Sequence, residues 1–149
     1  MPIEFFVDAG RRVVFTVAGG AFSIGDAIGH MDRLRADPAF SPAFNQLADF
    51  RDVTEVELSG LDVRTLAQQV VFSPSSYRAL IITKGVAFGL ARMFATLREI
   101  AGEPNLKIVG DMEQAADWVS VDRAAAEAAC AAIKQRLKTS TDGNRPTAR

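Results

Sequence analysis

Ser59 has a residue type and a position suited to carrying a phosphoryl group. It follows a predicted buried strand, residues 44–50, and stands at the start of a predicted helix. Its hydroxyl would lie beside the first-turn amides, where the positive end of the helix dipole favours an anion. The alternative is structural, because Ser59 and Asp62 match a capping box in which the serine accepts a backbone hydrogen bond. The sequence therefore predicts either a phosphoacceptor or a helix cap.

Several carboxylates surround this serine in the sequence: Asp49, Asp52, Glu55, Glu57 and Asp62. Such a cluster could hold a divalent cation. Its spacing, however, lacks the glycine and the terminal glutamate of a calcium-binding loop. We therefore expect solvated loop charge and no metal site.

His30 is the only histidine, which excludes a metal site built from several histidines. Any serine–histidine dyad would have to join it to Ser59, and no orienting acid or oxyanion motif is recognisable. We expect a surface or half-buried histidine on the first helix, no catalytic residues and no enzymatic activity. The glycine-rich residues 19–25 lack both the dinucleotide fingerprint and the lysine of a phosphate-binding loop, so no cofactor is predicted.

Aromatic and sulfur-containing side chains in the second half of the chain suggest another possibility. Pockets for small apolar ligands are commonly lined by such side chains. The candidate pocket residues are Phe72, Phe88, Met93 and Phe94. Core packing is the alternative explanation for the same residues.

The elements that would position these residues alternate along the chain. Strands are predicted at residues 3–7, 12–18, 44–50, 78–83 and 106–109, with the fourth at the centre of the sheet. The first two are expected to form an antiparallel hairpin, and the two glycines at 19–20 to end the second strand. Amphipathic helices are predicted between the later strands, with capping boxes at Ser23 and Ser59. This order predicts an α/β fold, with a mixed, mostly parallel five-stranded sheet covered by helices.

Composition limits the class of protein. With 149 residues, 48% hydrophobic and 23% charged, the chain can form one domain. A formal net charge of −1 offers no electrostatic footprint for nucleic acid. No segment approaches the roughly 18 consecutive apolar residues of a membrane helix, and no signal peptide is recognisable, so a cytoplasmic protein without stable membrane insertion is expected. The only cysteine, Cys130, is expected to be buried.

The domain is predicted to span residues 1–120. Residues 121–138 are predicted to form an alanine-rich C-terminal helix that packs on the domain or extends it, with a homodimer as a candidate assembly. Residues 139–149 are polar and contain glycine and proline, so we expect a disordered tail.

Residues 49–61, DFRDVTEVELSGL, resemble the signature of STAS domains, the anti-sigma factor antagonists, whose pattern is roughly Asp-Leu-Ser-x-Val-x-x-Ile-Asp-Ser-Ser-Gly-Leu. In that family a serine of this segment is phosphorylated by a partner kinase, and the phosphate decides which protein is bound. Ser59 matches the serine before the glycine. Two positions depart from the pattern: Glu57 stands where the pattern has an aspartate, and Leu58 stands where it has the other serine.

The later segments RALI at 78–81, AFGLARM at 87–93 and DMEQAADWV at 111–119 look more like the SpoIIAA-like, or STAS/SEC14-like, branch of bacterial proteins. The resemblance implies a single STAS-like domain with the extra C-terminal helix. It also implies a non-enzymatic regulatory module with a protein partner, a kinase or a regulator. The candidate interaction edge is formed by Asp49, Glu57, Gly60 and Asp62 beside Ser59. The SEC14-like relation suggests the alternative, a carrier or sensor of a small apolar ligand.

Overall fold

The strands and helices alternate in the order that the sequence patterns predict. A computed structural model describes residues 2–83 and 85–143, with side chains through residue 139. The strands are β1 (Ile3–Asp8), β2 (Val13–Ser23), β3 (Asn45–Glu57), β4 (Arg78–Ile81) and β5 (Leu106–Val109). The helices are α1 (Ile24–Ala36), α2 (Gly60–Ala67), α3 (Val86–Ile100), α4 (Met112–Val119) and α5 (Arg123–Gly143).

The five strands form one sheet in the spatial order β1-β2-β3-β4-β5. β1 and β2 form the predicted antiparallel hairpin, and the other three pairings are parallel. The predicted α/β class with a mixed, mostly parallel sheet is therefore confirmed. The central strand is β3, not the strand predicted at residues 78–83. All four residues of β4 are buried because helices cover both of its faces, although the strand lies fourth in the sheet.

β2 and β3 are longer than predicted. The two glycines do not end β2, which continues to Ser23, and β3 continues from Phe50 to Glu57. These extensions pair with each other, and the register shifts on either side of Gly20, which has a φ of 69°. Glycine adopts this left-handed conformation without steric cost, so the strand bends there and keeps its pairing.

Alternate residues of each strand face opposite sides of the sheet. On one side, α4 and α5 cover a single continuous hydrophobic core that includes Phe15, Leu47, Ile81 and Ile133. On the other side, α1, α2 and α3 cover three smaller hydrophobic clusters. The two sides are called here the α4–α5 face and the α1–α3 face.

Both capping boxes that the sequence predicts are present in the structure. Ser23 caps α1 with Asp26, and Ser59 caps α2 with Asp62. Asp111 caps α4 by accepting a hydrogen bond from the amide of Gln114.

The edge strand β1 is contacted from both layers of helices. Arg33 of α1 donates a hydrogen bond to the carbonyl oxygen of Ile3 at 3.2 Å. Arg136 of α5 donates to the carbonyl oxygen of Phe5 at 2.9 Å. α5 also packs against β2 and α4, and it continues to Gly143, five residues into the segment for which a disordered tail was expected. The rest of that expectation, at 144–149, lies outside the described residues.

Candidate functional site

The junction of β3 and α2 displays Ser59 at the surface. The Ser59 hydroxyl oxygen accepts a hydrogen bond from the amide of Asp62 at 3.0 Å, and the Ser59 amide donates to the Asp62 carboxylate at 2.9 Å. Next to this capping box, the side chain of Leu61 is 75% exposed. The geometry gives Ser59 the cap role that the sequence predicted as one alternative, and it leaves the hydroxyl accessible.

The four residues of the predicted interaction edge lie in different environments. Glu57 and Gly60 are exposed and Asp62 is half-buried, all three near Ser59. Asp49 is 0% exposed and lies on the α4–α5 face.

Asp49 is held by two cations instead of facing a partner. Its carboxylate accepts two hydrogen bonds from the Arg51 guanidinium, at 2.9 and 3.0 Å, and pairs with the Lys134 ammonium at 3.2 Å. Burial alone would raise the pKa of Asp49, but the hydrogen bonds from Arg51 and the charge of Lys134 outweigh it and lower the pKa. Asp49 thus fastens α5 to the sheet. Cys130 is buried beside it, as expected, and burial raises the pKa of its thiol to about 12.

The α1–α3 face contains a partly open cavity of about 140 Å³ between the sheet and the three helices. Its wall is almost wholly apolar. The apolar lining includes Ile3, Phe22, Ala27, Met31, Ala48, Phe50, Val53, Val63, Leu66, Leu80, Ile82, Leu90, Ala91 and Phe94.

Of the four predicted pocket residues, Phe94 lines this cavity. Phe72 belongs to a neighbouring cluster, where the Arg78 guanidinium lies 4.4 Å from its ring centroid. Phe88 lies in a shallow groove between α3 and β5, near Arg92. Met93 faces Gly60, since a Cβ added to that glycine would lie 4.0 Å from the Met93 methyl carbon. The structure therefore does not bring the four residues into one pocket.

Polar side chains from three neighbouring strands interrupt the apolar wall. The Gln46 amide nitrogen donates to the Thr16 hydroxyl at 3.2 Å, and the Arg78 Nε donates to the Gln46 side-chain oxygen at 3.1 Å. Thr16, Gln46 and Arg78 lie on β2, β3 and β4, at positions that face α1–α3, and all three line the cavity. We call these three residues the polar row.

Arg78 connects the polar row to a buried ion cluster. Its Nη1 donates to one oxygen of Glu103 at 2.7 Å, and Arg98 of α3 donates to the other oxygen at 2.8 Å. Arg98 also donates to the carbonyl oxygen of Ala67, the last residue of α2, at 2.7 Å. All three charged side chains are buried. Charges removed from water are stable only when they are paired and hydrogen-bonded in this manner.

His30 is not the surface or half-buried residue expected from the sequence. Its side chain is 7% exposed and lines the cavity, and neither ring nitrogen has a hydrogen-bond partner among the described residues. Burial lowers the pKa of His30 to about 3, and the nearby charges of Arg33 and Arg78 act in the same direction. The imidazole is therefore neutral, with one unused donor and one unused acceptor at the cavity.

His30 and Ser59 occupy different parts of the molecule, one in the cavity wall and the other at the surface. Among the side chains that the structure describes, in residues 2–83 and 85–139, there is no group of three or more histidine, cysteine, aspartate or glutamate residues that could hold a metal ion.

The polar row, the ion cluster and the burial of His30 were not predicted from the sequence, although two signals were present. Arg78 begins a short apolar strand and shares its face with Leu80, and a charged residue at that position needs a partner. His30 follows Ala27 by three residues and precedes Leu34 by four, which is the spacing of the buried face of α1.

The fold is similar to that of a known structure. The crystal structure of an uncharacterized protein from the DUF3478 family with a SpoIIAA-like fold, from Shewanella loihica, matches with a TM-score of 0.51 over 78% of this chain and 93% of that chain. The sequence identity is 17%, so the likeness shows the fold alone. It confirms the SpoIIAA-like fold that the resemblance implied. No protein-family model and no curated protein match the chain.

Among the described residues, no helix has the length and apolar character needed to cross a membrane.

Proposed function

We propose that the protein is a non-enzymatic binding protein that carries or senses a small, largely apolar ligand in the cavity of the α1–α3 face. The observation that carries this proposal is the cavity itself, about 140 Å³ with an almost wholly apolar wall. An engineered apolar cavity of about 150 Å³ in another protein stays dry and binds benzene. A ligand body of about six carbon atoms is therefore the expected size.

The free-energy cost of an unfilled cavity supports the proposal that a ligand occupies it. Protein interiors are normally close-packed, and voids larger than a water molecule are few. At about 24 cal/mol per Å³, the figure for enclosed cavities, an empty cavity of 140 Å³ costs at most about 3 kcal/mol. A ligand that restores the missing contacts would recover part of that free energy, which favours binding.

Neutral probes test the proposal. Benzene and hexan-1-ol are titrated into the ¹⁵N-labelled protein, and amide shifts are followed by NMR. We expect saturable shifts at residues around the cavity. Ala91→Leu, which fills part of the cavity, should weaken binding about tenfold or more. Ala128→Leu, an exposed position on α5, is the matched control and should leave binding unchanged.

Saturable shifts spread over the surface, or no binding by the folded protein, would contradict the proposal. Equal affinities of the two leucine variants would contradict it as well, because the bound probe would then lie outside the cavity.

A second candidate function is supported by the β3–α2 junction. Here the protein would be a regulatory interaction module, in which Ser59, Glu57, Gly60 and Asp62 contact a protein partner and phosphorylation of Ser59 changes the binding. An accessible hydroxyl at a helix N-terminus, next to the 75% exposed Leu61, supports this candidate. The kinase or regulator is suggested only by the resemblance to anti-sigma factor antagonists.

Two capping serines allow a matched test of this second function. Ser23 and Ser59 cap α1 and α2 in the same manner, so replacing either by alanine should cost about 1 kcal/mol of folding free energy. Protein purified from its native host is first measured by intact mass, and any phosphate is mapped. Partners recovered with the wild-type chain are then compared with those of Ser23→Ala, Ser59→Ala and Ser59→Asp.

Regulation at this edge requires that the Ser59 variants change partner recovery and that Ser23→Ala does not. Equal behaviour of all variants, with no phosphate at Ser59, would make the serine a cap only. A location in the cytoplasm and the absence of nucleic-acid partners stay predictions from the sequence.

A further inference from the structure

Four polar side chains line the otherwise apolar cavity, and three of them are joined by hydrogen bonds at one place on the sheet. Thr16, Gln46 and Arg78 come from three neighbouring strands, and His30 comes from α1 on the opposite side of the space. A purely apolar ligand would leave the two buried ring nitrogens of His30 without hydrogen bonds, and burying polar atoms without partners is unfavourable.

The charge of the ion cluster beside this place is unbalanced. Two guanidinium groups, of Arg78 and Arg98, share the single carboxylate of Glu103. The ring of Phe72 and the carbonyl oxygen of Ala67 compensate the excess in part, since each presents partial negative charge. No second carboxylate lies within 4 Å of either arginine among the described residues. An excess of buried positive charge therefore borders the cavity.

Several hydrogen-bond donors at this place have no protein acceptor. Arg78 uses Nε and Nη1 for Gln46 and Glu103, while its Nη2 has no hydrogen-bond partner in the described part of the chain. The Thr16 hydroxyl accepts a hydrogen bond from Gln46 and keeps its own proton for donation. His30 adds a ring N–H and an acceptor nitrogen, both unpartnered among the described residues and more than nine-tenths buried.

These features select among polar groups that a ligand could present. An amine would be repelled by the excess positive charge. A hydroxyl would leave most of the donors unused and the charge unbalanced. A carboxylate has two oxygens that accept several hydrogen bonds and carries the missing negative charge.

We propose that the ligand is a small amphipathic monocarboxylic acid, whose carboxylate binds at Arg78, Thr16 and His30 and whose apolar body of about six carbons fills the cavity. This inference rests on the proposed ligand-binding function and adds the chemical class. The polar row and His30 then form the recognition site for the head group, and the ring of His30 adapts its tautomer to the carboxylate.

Calorimetric titration with hexanoate, hexan-1-ol and hexylamine at neutral pH tests the inference. The three probes share a six-carbon chain and differ in charge. We expect hexanoate to bind about tenfold more tightly than hexan-1-ol, and hexylamine to bind more weakly than either. His30→Leu and Thr16→Val should each reduce the preference for hexanoate and leave the affinity for hexan-1-ol within about threefold. Cys130→Ala, buried on the opposite face of the sheet, is the control and should keep the preference.

The two proposals fail in different ways. If hexan-1-ol binds in the cavity and hexanoate does not bind more tightly, the proposed carboxylate head group is wrong. The proposed ligand-binding function of the cavity then still holds. If no probe binds the folded protein, both are wrong. A preference for hexanoate that survives in both variants would overturn the assigned head-group site. Circular dichroism verifies the fold of each variant, and Thr16→Val carries the test alone if His30→Leu does not fold.

Discussion

The two faces of the sheet differ in how completely their hydrophobic layers are packed. On the α4–α5 face, residues such as Val13, Phe15 and Val17 join one continuous core with α4 and α5. The α1–α3 face is divided into three separate clusters, a cavity and a buried ion cluster; of the intervening residues of the same strand, Val14 belongs to one cluster and Thr16 lines the cavity. The period of two along a strand therefore lets a single segment provide tight packing on one side and a binding cavity on the other.

This difference suggests a division of roles. The filled face contributes packing free energy without interruption, and the α1–α3 face gives up part of its own contribution to keep space and unpaired polar groups. Functional sites commonly break the packing rules that the rest of the fold obeys. Four predictions test this difference between the two faces.

The largest expected effect follows from removing the charge of Glu103. Glu103→Gln leaves the buried guanidinium groups of Arg78 and Arg98 without a carboxylate, and we expect a loss of about 3–5 kcal/mol in the free energy of unfolding. Urea denaturation measures it. Glu113→Gln, which affects an exposed ion pair with Arg123, is the control and should change stability by less than about 1 kcal/mol. Similar effects at the two positions would contradict the structural role of the ion cluster.

A pair of small-to-large substitutions compares the packing of the two faces directly. Ala115→Leu adds three carbons to the filled core of the α4–α5 face and should cost about 1–3 kcal/mol. Ala91→Leu adds the same atoms at the cavity wall and should be neutral or stabilising, because the space is already present. Denaturation midpoints of the two variants are compared with the wild type. An equal cost at both positions would show that the α1–α3 face is as tightly filled as the other.

Protonation of His30 should make the stability of the protein depend on pH. Its pKa is about 3 in the folded protein and ordinarily 6.5, so the proton binds preferentially to the unfolded chain. Stability is therefore complete above pH 6.5 and falls as the pH decreases toward 3. Between pH 6.5 and 4.5 we expect a loss of about 2 kcal/mol from this residue. Denaturant titrations at several pH values measure it, and the loss should disappear in His30→Leu. Its persistence in that variant would assign the dependence to other groups.

The smallest effect concerns the same histidine at neutral pH. His30→Leu removes two buried ring nitrogens that have no partner among the described residues, so we expect a gain of about 1 kcal/mol in the ligand-free protein. His30→Asn retains unpaired polar atoms and should show no such gain. The two variants are compared by thermal and urea unfolding. A less stable His30→Leu protein would mean that the imidazole makes a favourable interaction in the ligand-free protein, contrary to the lack of partners described above.

Local patterns in the sequence predicted much of the fold and little of the cavity. Strand β5 was predicted at its observed bounds, and both capping boxes are present. Each of these depends on residues within four positions of one another. The extensions of β2 and β3 were missed because they stabilise each other across the sheet, which no local pattern reveals.

The positions of Arg78 and of the aromatic residues depend on partners that are distant in the sequence. Arg78 is buried because Glu103, 25 residues later, supplies its counter-charge. The aromatic residues Phe72, Phe88 and Phe94 were grouped by type, but their positions relative to the sheet depend on how α2 and α3 pack. The burial of His30 was within reach of the sequence, since the helical spacing with Ala27 and Leu34 predicts it.

The two arginines that bind β1 have a consequence for how copies of this chain meet. An edge strand exposes backbone groups to which a strand of another molecule can add, and such addition leads to aggregation. Arg33 and Arg136 occupy the carbonyl oxygens of Ile3 and Phe5, from opposite sides of the sheet. A strand from a second copy would have to displace both guanidinium groups before it could pair there. The long α5 therefore also protects this edge of the sheet, and self-association through β1 is expected to be disfavoured.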